Sequence, residues 1–468
     1  MSAIIEPDKQ NFRDRITTVE DDGSRKWIFA KQPKGRLYNL RSIFSIFYLV
    51  IFFTLPLLQY KGEPLFMLNV VERKFILFGL HFGVQDLIVF GMAMLTGVVF
   101  IVLFTVVFGR LFCGWACPQT IFMEMVFRRI EYWIDGDMQQ QRALDKAPWD
   151  SYKISKRIAK YAIFYLISFL IANTFLAYII GLPALRKIIS EPLSEHVTGF
   201  AALILFSGAF FAVYAFLREQ ICIVACPYGR LQGVMLDKKS IVVAYDHVRG
   251  EPRGKLKDQS THHGDCIDCK ACVNVCPTGI DIRNGTQLEC INCTACIDAC
   301  NVIMVKIDKP EGLIRYASEA NIVDRVKTKI TPRIMAYSVV LIILLGLLSF
   351  TFSSHSVVDV SILRTPGQFY QENTDGTISN LYNFKVANKK GTPMHVHIKL
   401  ENQAGEIKLI GHEAIVVEPG AEKQGQLFVL IPTTQIHNKK MPLSIGIYDS
   451  LTLVKTINTT FMAPVNSK

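Results

Sequence analysis

Charged residues are scarce in this sequence. Asp, Glu, Lys and Arg make up 19% of its 468 residues, where a soluble globular chain carries about 25%. That shortage, with a mean hydropathy of +0.28, excludes an ordinary water-soluble enzyme. A second absence lies at the start. Residues 1–36 are polar and hold no apolar core of the kind a cleavable secretory leader needs, so the first long apolar run is expected to remain as an anchor. A third lies at the end, where residues 355–468 contain no cysteine and no long apolar run, leaving neither disulfide nor span to that segment. Acidic residues are outnumbered, 40 against 51 basic, for a net charge of +11. Such an excess can mark a nucleic-acid binder. Here it follows the loops between apolar runs, and no nucleic-acid partner is expected.

What is abundant is apolar sequence gathered into five runs of bilayer-spanning length, about 20 residues each: Leu37–Gln59, Gln85–Phe108, Tyr161–Leu182, Gly199–Leu217 and Ile334–Phe352. Lys and Arg crowd into residues 1–36, 109–160 and 218–332 and are sparse in the two loops between. That alternation places the N-terminus and both long loops in the cytosol and everything after Phe352 outside. The predicted organisation is a cytosolic arm (1–36), four transmembrane helices with a cytosolic loop (37–217), a cytosolic segment (218–332), a fifth transmembrane helix (333–352) and an outer domain (355–468). In the first cytosolic loop, Thr120–Ile134 mixes apolar residues with Glu124, Arg128, Arg129 and Glu131. It predicts either an amphipathic helix on the inner membrane surface or an extension of the second span. In the outer domain, alternating stretches such as Met394–Leu400 and Gln426–Pro432 are separated by turn signals at Asn388–Gly391 and Glu418–Gly420. They predict an antiparallel β-sandwich.

The segment 218–332 holds ten of the twelve cysteines. Eight form two runs, Cys266-x2-Cys269-x2-Cys272-x3-Cys276-Pro277 and Cys290-x2-Cys293-x2-Cys296-x3-Cys300, predicting a ferredoxin-like unit over about 258–306 behind a linker, Arg249–Gly264. Two-residue gaps let one loop wrap three thiolates around three corners of a 4Fe-4S cubane, while the fourth cysteine of each run reaches the other cluster. One cluster is therefore assigned to Cys266, Cys269, Cys272 and Cys300, and the other to Cys290, Cys293, Cys296 and Cys276. Zinc takes four ligands, usually as two pairs, and disulfides do not persist on the reducing side of a membrane. One departure stands out: Asn301, not proline, follows Cys300. Two clusters with crossed ligands lie close enough for electron hopping, and a redox role is expected.

The remaining cysteines form an internal echo. Arg110-Leu-Phe-Cys113-x3-Cys117-Pro118 follows the second span, and Arg218-x3-Cys222-x3-Cys226-Pro227 follows the fourth. Cysteines at i and i+4 share one helix face, whereas proline directly after the second favours a helix start there. Four facing thiolates would suit a soft metal such as Cu(I) or a redox relay; small residues packing a helix junction would look the same. Arg110 and Arg218 would lower the thiol pKa values, bind lipid phosphate or anchor the topology. His395 and His397 share a strand face, to bind metal or to face solvent; His81 and His196 lie in outer loops within reach of a quinone; His262 and His263 read as linker.

Several segments together resemble one family. Leu111-Phe-Cys-Gly-Trp-Ala-Cys-Pro-Gln-Thr-Ile-Phe-Met-Glu124, Cys222-Ile-Val-Ala-Cys-Pro-Tyr-Gly-Arg-Leu-Gln-Gly233, Tyr245–Gly254 and Gly312–Tyr316 are similar to the cytochrome c oxidase accessory proteins called CcoG, FixG or RdxA. The resemblance covers nearly the whole chain. It implies a role in assembling cbb3-type cytochrome c oxidase in the bacterial inner membrane, with Cu(II) reduced to Cu(I) in the cytosol and passed to a copper-exporting P-type ATPase and oxidase assembly factors. By position, Cys113, Cys117, Cys222 and Cys226 would handle copper as substrate, and the eight ferredoxin cysteines would hold two 4Fe-4S clusters. The outer, periplasmic domain would be immunoglobulin-like. The electron donor is left unnamed, and a homodimer is left open. Two other functions fit the residues: a quinol-linked electron-transfer subunit, or a non-enzymatic copper carrier and scaffold.

Overall fold

The computed structural model of the chain describes residues 17–464 apart from 21, 61–62, 70–73, 79, 84–85, 193, 195–196, 256–262, 326–330, 354–357, 368, 391 and 412–414. They fall into two compact units, one drawn from segments Met1–Thr54, Met92–Phe175 and Lys187–Leu348, the other from Leu55–Gly91, Leu176–Arg186 and Ser349–Lys468.

Among the described residues, five helices are long and apolar enough to cross a membrane: Arg36–Leu57, Ile88–Phe108, Ser151–Ile180, Val197–Leu217 and Pro332–Ser353. Their outward faces are apolar; in the last, Ile342, Leu345 and Phe350 are all exposed and no residue of the helix is buried. A helix apolar all round belongs either in the core of a large protein or in a membrane, and this one is not covered by the rest of the chain. The expected runs are recovered, with one shifted start: the third helix begins at Ser151, not Tyr161. Hydropathy stops at its first turns because they carry Lys153, Lys156, Arg157 and Lys160, yet these cations are satisfied locally. Lys153 Nζ donates to the carbonyls of Asp145 (2.8 Å) and Ala147 (2.6 Å), and Lys160 Nζ to Asp135 (2.6 Å).

Thr120–Ile134 matches neither expectation. The second span ends at Gly109, whose φ of +54° turns the chain, so the segment does not extend that span. Ile121–Phe127 is a π-helix that continues as an α-helix over Arg128–Ile134. Nor does it lie on a surface. Phe122, Met123 and Phe127 pack with Phe164, Ile171 and Tyr214, and the charged face is buried too, Arg128 being 3% and Glu131 4% exposed. Charges meant for water in an amphipathic helix are here paired: Glu124 with Arg128 inside the segment, and Glu131 with Arg218 and Lys160 from elsewhere in the chain.

The cysteine-rich part of this unit is closed by an antiparallel strand pair, Val242–Tyr245 with Ile314–Ala317, outside the cysteine runs on both sides. Its core joins Val243, Tyr245, Ile280, Ile282, Ile297, Met304, Leu313 and Ile314 to Cys266, Cys272 and Cys300. Residues of the N-terminal arm and of the first spanning helix are tied to it and to the helices beside it. Lys31 N donates to Asn274 O (2.7 Å), Tyr132 Oη to Ala30 O (3.2 Å), and the Asp298 carboxylate accepts from the N–H groups of Leu37 (3.2 Å) and Tyr38 (2.8 Å). Asp298 thus caps the first spanning helix from a distant segment, supplying acceptors to two otherwise orphaned donors.

In the second unit nine strands form the sandwich: β1 Val358–Arg364, β2 Gln371–Glu372, β3 Thr377–Asn388, β4 Met394–Leu400, β5 Glu406–Leu409, β6 Ile415–Val417, β7 Glu422–Pro432, β8 Lys440–Asp449 and β9 Thr452–Met462. One sheet has the order β5-β7-β3-β1, with β2 also on β3; the other runs β6-β4-β8-β9, and all pairings are antiparallel. Inward residues such as Phe384, Leu427, Ile431, Ile445 and Phe461 make its core, each fully buried side chain contributing about 1.5–3 kcal/mol. The loop between the first and second spanning helices carries a three-stranded sheet, Phe66–Asn69, Lys74–Leu77 and Leu80–Phe82.

Candidate iron-sulfur and thiolate site

The two cysteine runs fold alike. In each, the residues two and four positions after the first cysteine take positive φ: Asp268 (49°) and Lys270 (57°) in one, Asn292 (53°) and Thr294 (68°) in the other. Non-glycine residues adopt this left-handed region only when surroundings demand it, and such turns direct successive backbone N–H groups towards a common anionic centre. A short helix then starts in each run, Ala271–Asn274 and Ala295–Lys306.

Two cavities result. One is walled by Cys266, Cys269, Cys272 and Cys300, with Tyr245, Arg283 and Met304. The other is walled by Cys276, Cys290, Cys293 and Cys296, with Cys272, Pro277 and Thr278. The first cavity thus includes the fourth cysteine of the second run and the second cavity that of the first run, while Cys272 lines both. Each cavity is ringed by thiols set on a turn and the start of a helix, the ligand type that holds iron-sulfur clusters. The residues therefore fit 4Fe-4S clusters. Burial pushes the thiols of Cys272, Cys290 and Cys300 up to about 12 and that of Cys293 to about 11, a cost that bound iron offsets by taking the place of the protons. Where ferredoxins carry proline, Asn301 accepts the N–H of Gly312 at 3.0 Å, tying the second run to the strand pair.

The two Cys-x3-Cys-Pro motifs end alike but begin in different helices. Cys113 lies in the helix Leu111–Trp115 and Cys222 in the π-helix Ile221–Ala225. Cys117 and Cys226 are both extended residues followed by proline at the first position of a new helix. The N–H of Cys117 donates to Phe112 O (2.9 Å) and that of Cys226 to Ile221 O (2.8 Å). The proline thus starts a helix, and the two thiols of a pair flank a junction instead of sharing one helix face. The halves are pinned together: Arg110 donates to the carbonyls of Gly229 and Leu288, and Phe112 meets Tyr228 edge-on at 6.5 Å. Burial pushes Cys113 and Cys222 up to about 12; Arg110 opposes this at Cys113, and Cys117 and the other thiols of the motifs reinforce it at Cys222. Cys113 and Cys222 each stand within electrostatic reach of the other three thiols of the motifs.

Arg218 does not act on the thiols as expected. It forms a two-pronged pair with Glu131, 2.8 Å on each side. Around it a buried network links Glu131 and Asp135 with Lys160, Glu124 with Arg128 (3.1 Å), and Glu219 with Arg25 (3.0 Å). Neither Arg110 nor Arg218 faces outward, both being about 95% buried or more, which leaves no room for lipid phosphate.

The thiol pairs and the cysteine runs meet at one glycine. A Cβ on Gly114 would lie 2.3 Å from the carbonyl oxygen of Ile291, between Cys290 and Cys293. The contact is framed by Arg41 Nε donating to Gly114 O (2.6 Å), Trp115 Nε1 to Tyr316 Oη (3.2 Å) and Tyr316 Oη to Asn292 O (3.1 Å). Gly114, Arg41 and the ion network were not singled out from sequence, although a glycine between two cysteines is a signal of close backbone approach. Among the histidines, His395 and His397 are exposed on β4, and His81 is buried in the strand Leu80–Phe82. His196 and His262 lie outside the described residues, and His263 packs near Gly254.

Five helices of spanning length, two cysteine-lined cavities and a β-sandwich define a membrane-bound iron-sulfur electron-transfer protein. Residues 217–319 match the family model described as a 4Fe-4S dicluster domain, residues 90–137 one described as a 4Fe-4S binding domain, and residues 348–464 one described as an IG-like fold at the C-terminal of FixG. Protein RdxB of Cereibacter sphaeroides is 33% identical over 87% of this chain and 89% of its own length. Protein RdxA of the same organism is 33% identical over 81% and 83%. Nitrogen fixation protein FixG of Rhizobium meliloti is 32% identical over 63% and 57%. The chain belongs to the FixG/RdxA family.

Proposed function

We propose that the protein is a Cu(II)-to-Cu(I) reductase serving assembly of a cbb3-type cytochrome c oxidase, with copper as substrate at Cys113, Cys117, Cys222 and Cys226. The observation that carries this reading is the contact of Gly114 with Ile291, which joins the backbone between one pair of soft ligands to the loop of Cys290 and Cys293. Cu(I) prefers thiolate ligands, so a thiol-lined site favours the reduced product over the oxidised substrate. The clusters, when bound to Cys266, Cys269, Cys272 and Cys300 and to Cys276, Cys290, Cys293 and Cys296, supply one-electron storage next to that site. The chain's own part is to hold these groups in fixed register. Arg110 clamps the two thiol pairs, Trp115 and Tyr316 fix the loop at Asn292, and the buried ion pairs lock the π-helical segments beside Cys222. Each Cu(II) takes up one electron delivered through the protein from an external donor, and no proton is consumed.

On this reading the N-terminus and clusters are cytosolic and the sandwich periplasmic, as the basic loops favour. Product Cu(I) goes to a copper-exporting P-type ATPase and the oxidase assembly factors. The test is an anaerobic assay on pre-reduced protein, with a Cu(I)-specific chelator and cluster absorbance followed together. Intact protein should produce Cu(I) as the clusters oxidise, and Cys113→Ala/Cys117→Ala and Cys222→Ala/Cys226→Ala should both lose that coupling. Clusters that stay reduced in the presence of Cu(II) rule the reading out.

The match of residues 90–137 to a 4Fe-4S binding domain favours a second reading. That segment supplies two thiols, Cys113 and Cys117, half of what a cubane takes; Cys222 and Cys226 would complete it. Iron content separates the two, at about eight atoms per chain for two clusters and about twelve for three.

A further inference from the structure

The two cysteine-lined cavities differ in how they meet solvent. Of the twelve cysteines, Cys269 alone is exposed. With the exposed Lys270 it forms the mouth of the first cavity, whose other walls are buried or half-buried. No residue walling the second cavity is exposed. Two neighbours close that side. The Gly114 backbone stands against Ile291, and the N-terminal arm lies over the turn after Cys276. There Thr17 Oγ1 donates to Thr278 O (3.2 Å), and a Cβ on Gly279 would lie 2.6 Å from Ile28 Cδ1. Cys272 lines both cavities. An electron arriving from outside therefore has its open way in at Cys269, and it reaches the second cavity across Cys272.

The charge at that mouth is one-sided. The carboxylates around it are matched by an equal number of cations: Asp268 and Asp281 meet Arg283, Asp265 meets Arg249 and Lys309, and Glu251 meets Arg253. Lys270 has no ion-pair partner among the described residues, and a second exposed lysine without one is held close by. Lys31 N donates to Asn274 O (2.7 Å) and Asn274 N to Lys270 O (3.0 Å), so Lys31 attaches one helical turn from Lys270. Asp308 and Glu311, exposed carboxylates on the turn before Ile314, do not line the cavity. Encounters between electron carriers use small patches, below about 1,200 Å² of buried surface, and complementary charge sets how fast they form. Two free cations are a large share of such a patch. We infer that the mouth at Cys269 is where electrons enter, as the docking site of an acidic one-electron carrier protein recognised by Lys270 and Lys31. The carrier, reduced on arrival, loses one electron to the cluster that Cys266, Cys269, Cys272 and Cys300 hold when it is bound; no covalent bond changes and no proton moves. The assignment concerns the donor side alone and holds whatever the final acceptor is.

The test uses purified full-length protein in detergent, with its clusters loaded and oxidised and its iron content recorded. Stopped-flow absorbance follows its anaerobic reduction by a reduced acidic 2Fe-2S ferredoxin and, separately, by reduced methyl viologen, a small cation that needs no docking patch. Titration calorimetry with the oxidised ferredoxin gives the affinity without turnover. Ferredoxin should bind intact protein and reduce it at a rate that falls steeply with added salt. Lys270→Glu should weaken binding and slow that reduction at least about threefold at low ionic strength, with a flatter salt dependence, while reduction by viologen stays unchanged. Because Lys270 sits in a left-handed turn of a cysteine run, that variant could lose iron; Lys31→Glu, outside both runs, then decides by the same measurements. Ferredoxin binding and reduction that ignore both lysines overturn the assignment. So does equal slowing with both reductants, which would place the lysines in the fold alone, and so does intact protein that viologen reduces but ferredoxin neither binds nor reduces.

Discussion

Gly114 faces the carbonyl oxygen of Ile291 so closely that a single added carbon would stand 2.3 Å from it. No side chain fits there, because the obstacle is backbone and cannot rotate away. Gly114→Ala should therefore push the Cys113 motif off the Cys290–Cys293 loop. A displacement of about 1 Å can cost about 100-fold in a reaction that depends on placement, so Cu(II)-driven cluster oxidation, followed by stopped-flow absorbance, should slow by about 10- to 100-fold with iron retained. Gly208→Ala, where nothing lies within 4 Å of the added carbon, should leave the rate unchanged.

The crossed sets predict where a lost thiol is felt. Cys300→Ser should empty the cavity built by Cys266, Cys269 and Cys272, and Cys276→Ser the one built by Cys290, Cys293 and Cys296, each removing about half the iron. Electron paramagnetic resonance of the two variants should show complementary signals. If Cys300→Ser instead removes the signal that depends on Cys290, the pairing is uncrossed.

The Glu131–Arg218 pair is buried on both sides, at 5% and 2% side-chain exposure. Removing one partner leaves the other charge uncompensated, and Glu131→Gln should cost about 3–5 kcal/mol. Glu20 and Lys26, 3.5 Å apart and about half exposed, make a contrast: Glu20→Gln should change stability by less than about 1 kcal/mol. Thermal unfolding in detergent compares them.

The same carboxylate gives stability a pH dependence. Burial alone would raise the pKa of Glu131, but Arg218, Lys160 and Arg128 more than reverse this and hold it below the ordinary value. A depressed folded value means the stabilisation is complete above the unfolded pKa, about 4.3 for glutamate, and is lost as pH falls through the folded one. Intact protein should lose stability on acidification below about pH 4.3, and Glu131→Gln, already lacking the charge, should show a shallower decline.

Asp298 caps the first spanning helix through the N–H groups of Leu37 and Tyr38. Asp298→Ala should cost about 0.5–2 kcal/mol and speed amide exchange at residues 37–40 more than in the middle of that helix. Equal exchange in the two proteins would mean that water replaces the cap without loss.

The covalent chemistry was legible in the sequence because it is local. Cys-x2-Cys-x2-Cys spacing constrains one loop, a spanning run is contiguous, and strand alternation in Met394–Leu400 reports its own burial. What escaped was everything set by partners far along the chain. Glu131 and Arg218 are neighbours only after folding, so Thr120–Ile134 read as an amphipathic surface helix when its charges were in fact buried against opposite ones. The start of the third span at Ser151 was hidden by lysines whose acceptors, Asp135 and the Asp145 and Ala147 carbonyls, lie on the preceding helices. The π-helical turns left no trace at all, since an extra residue per turn changes no composition.

The position of all eight cavity cysteines after the fourth spanning helix also bears on the order in which the chain is made. Neither pocket has its fourth thiol from a single contiguous run, and the last one needed, Cys300, leaves the ribosome well after the helix ending at Leu217 and before the one beginning at Pro332. The nascent chain is thus committed to the bilayer by four helices before either cluster can be completed.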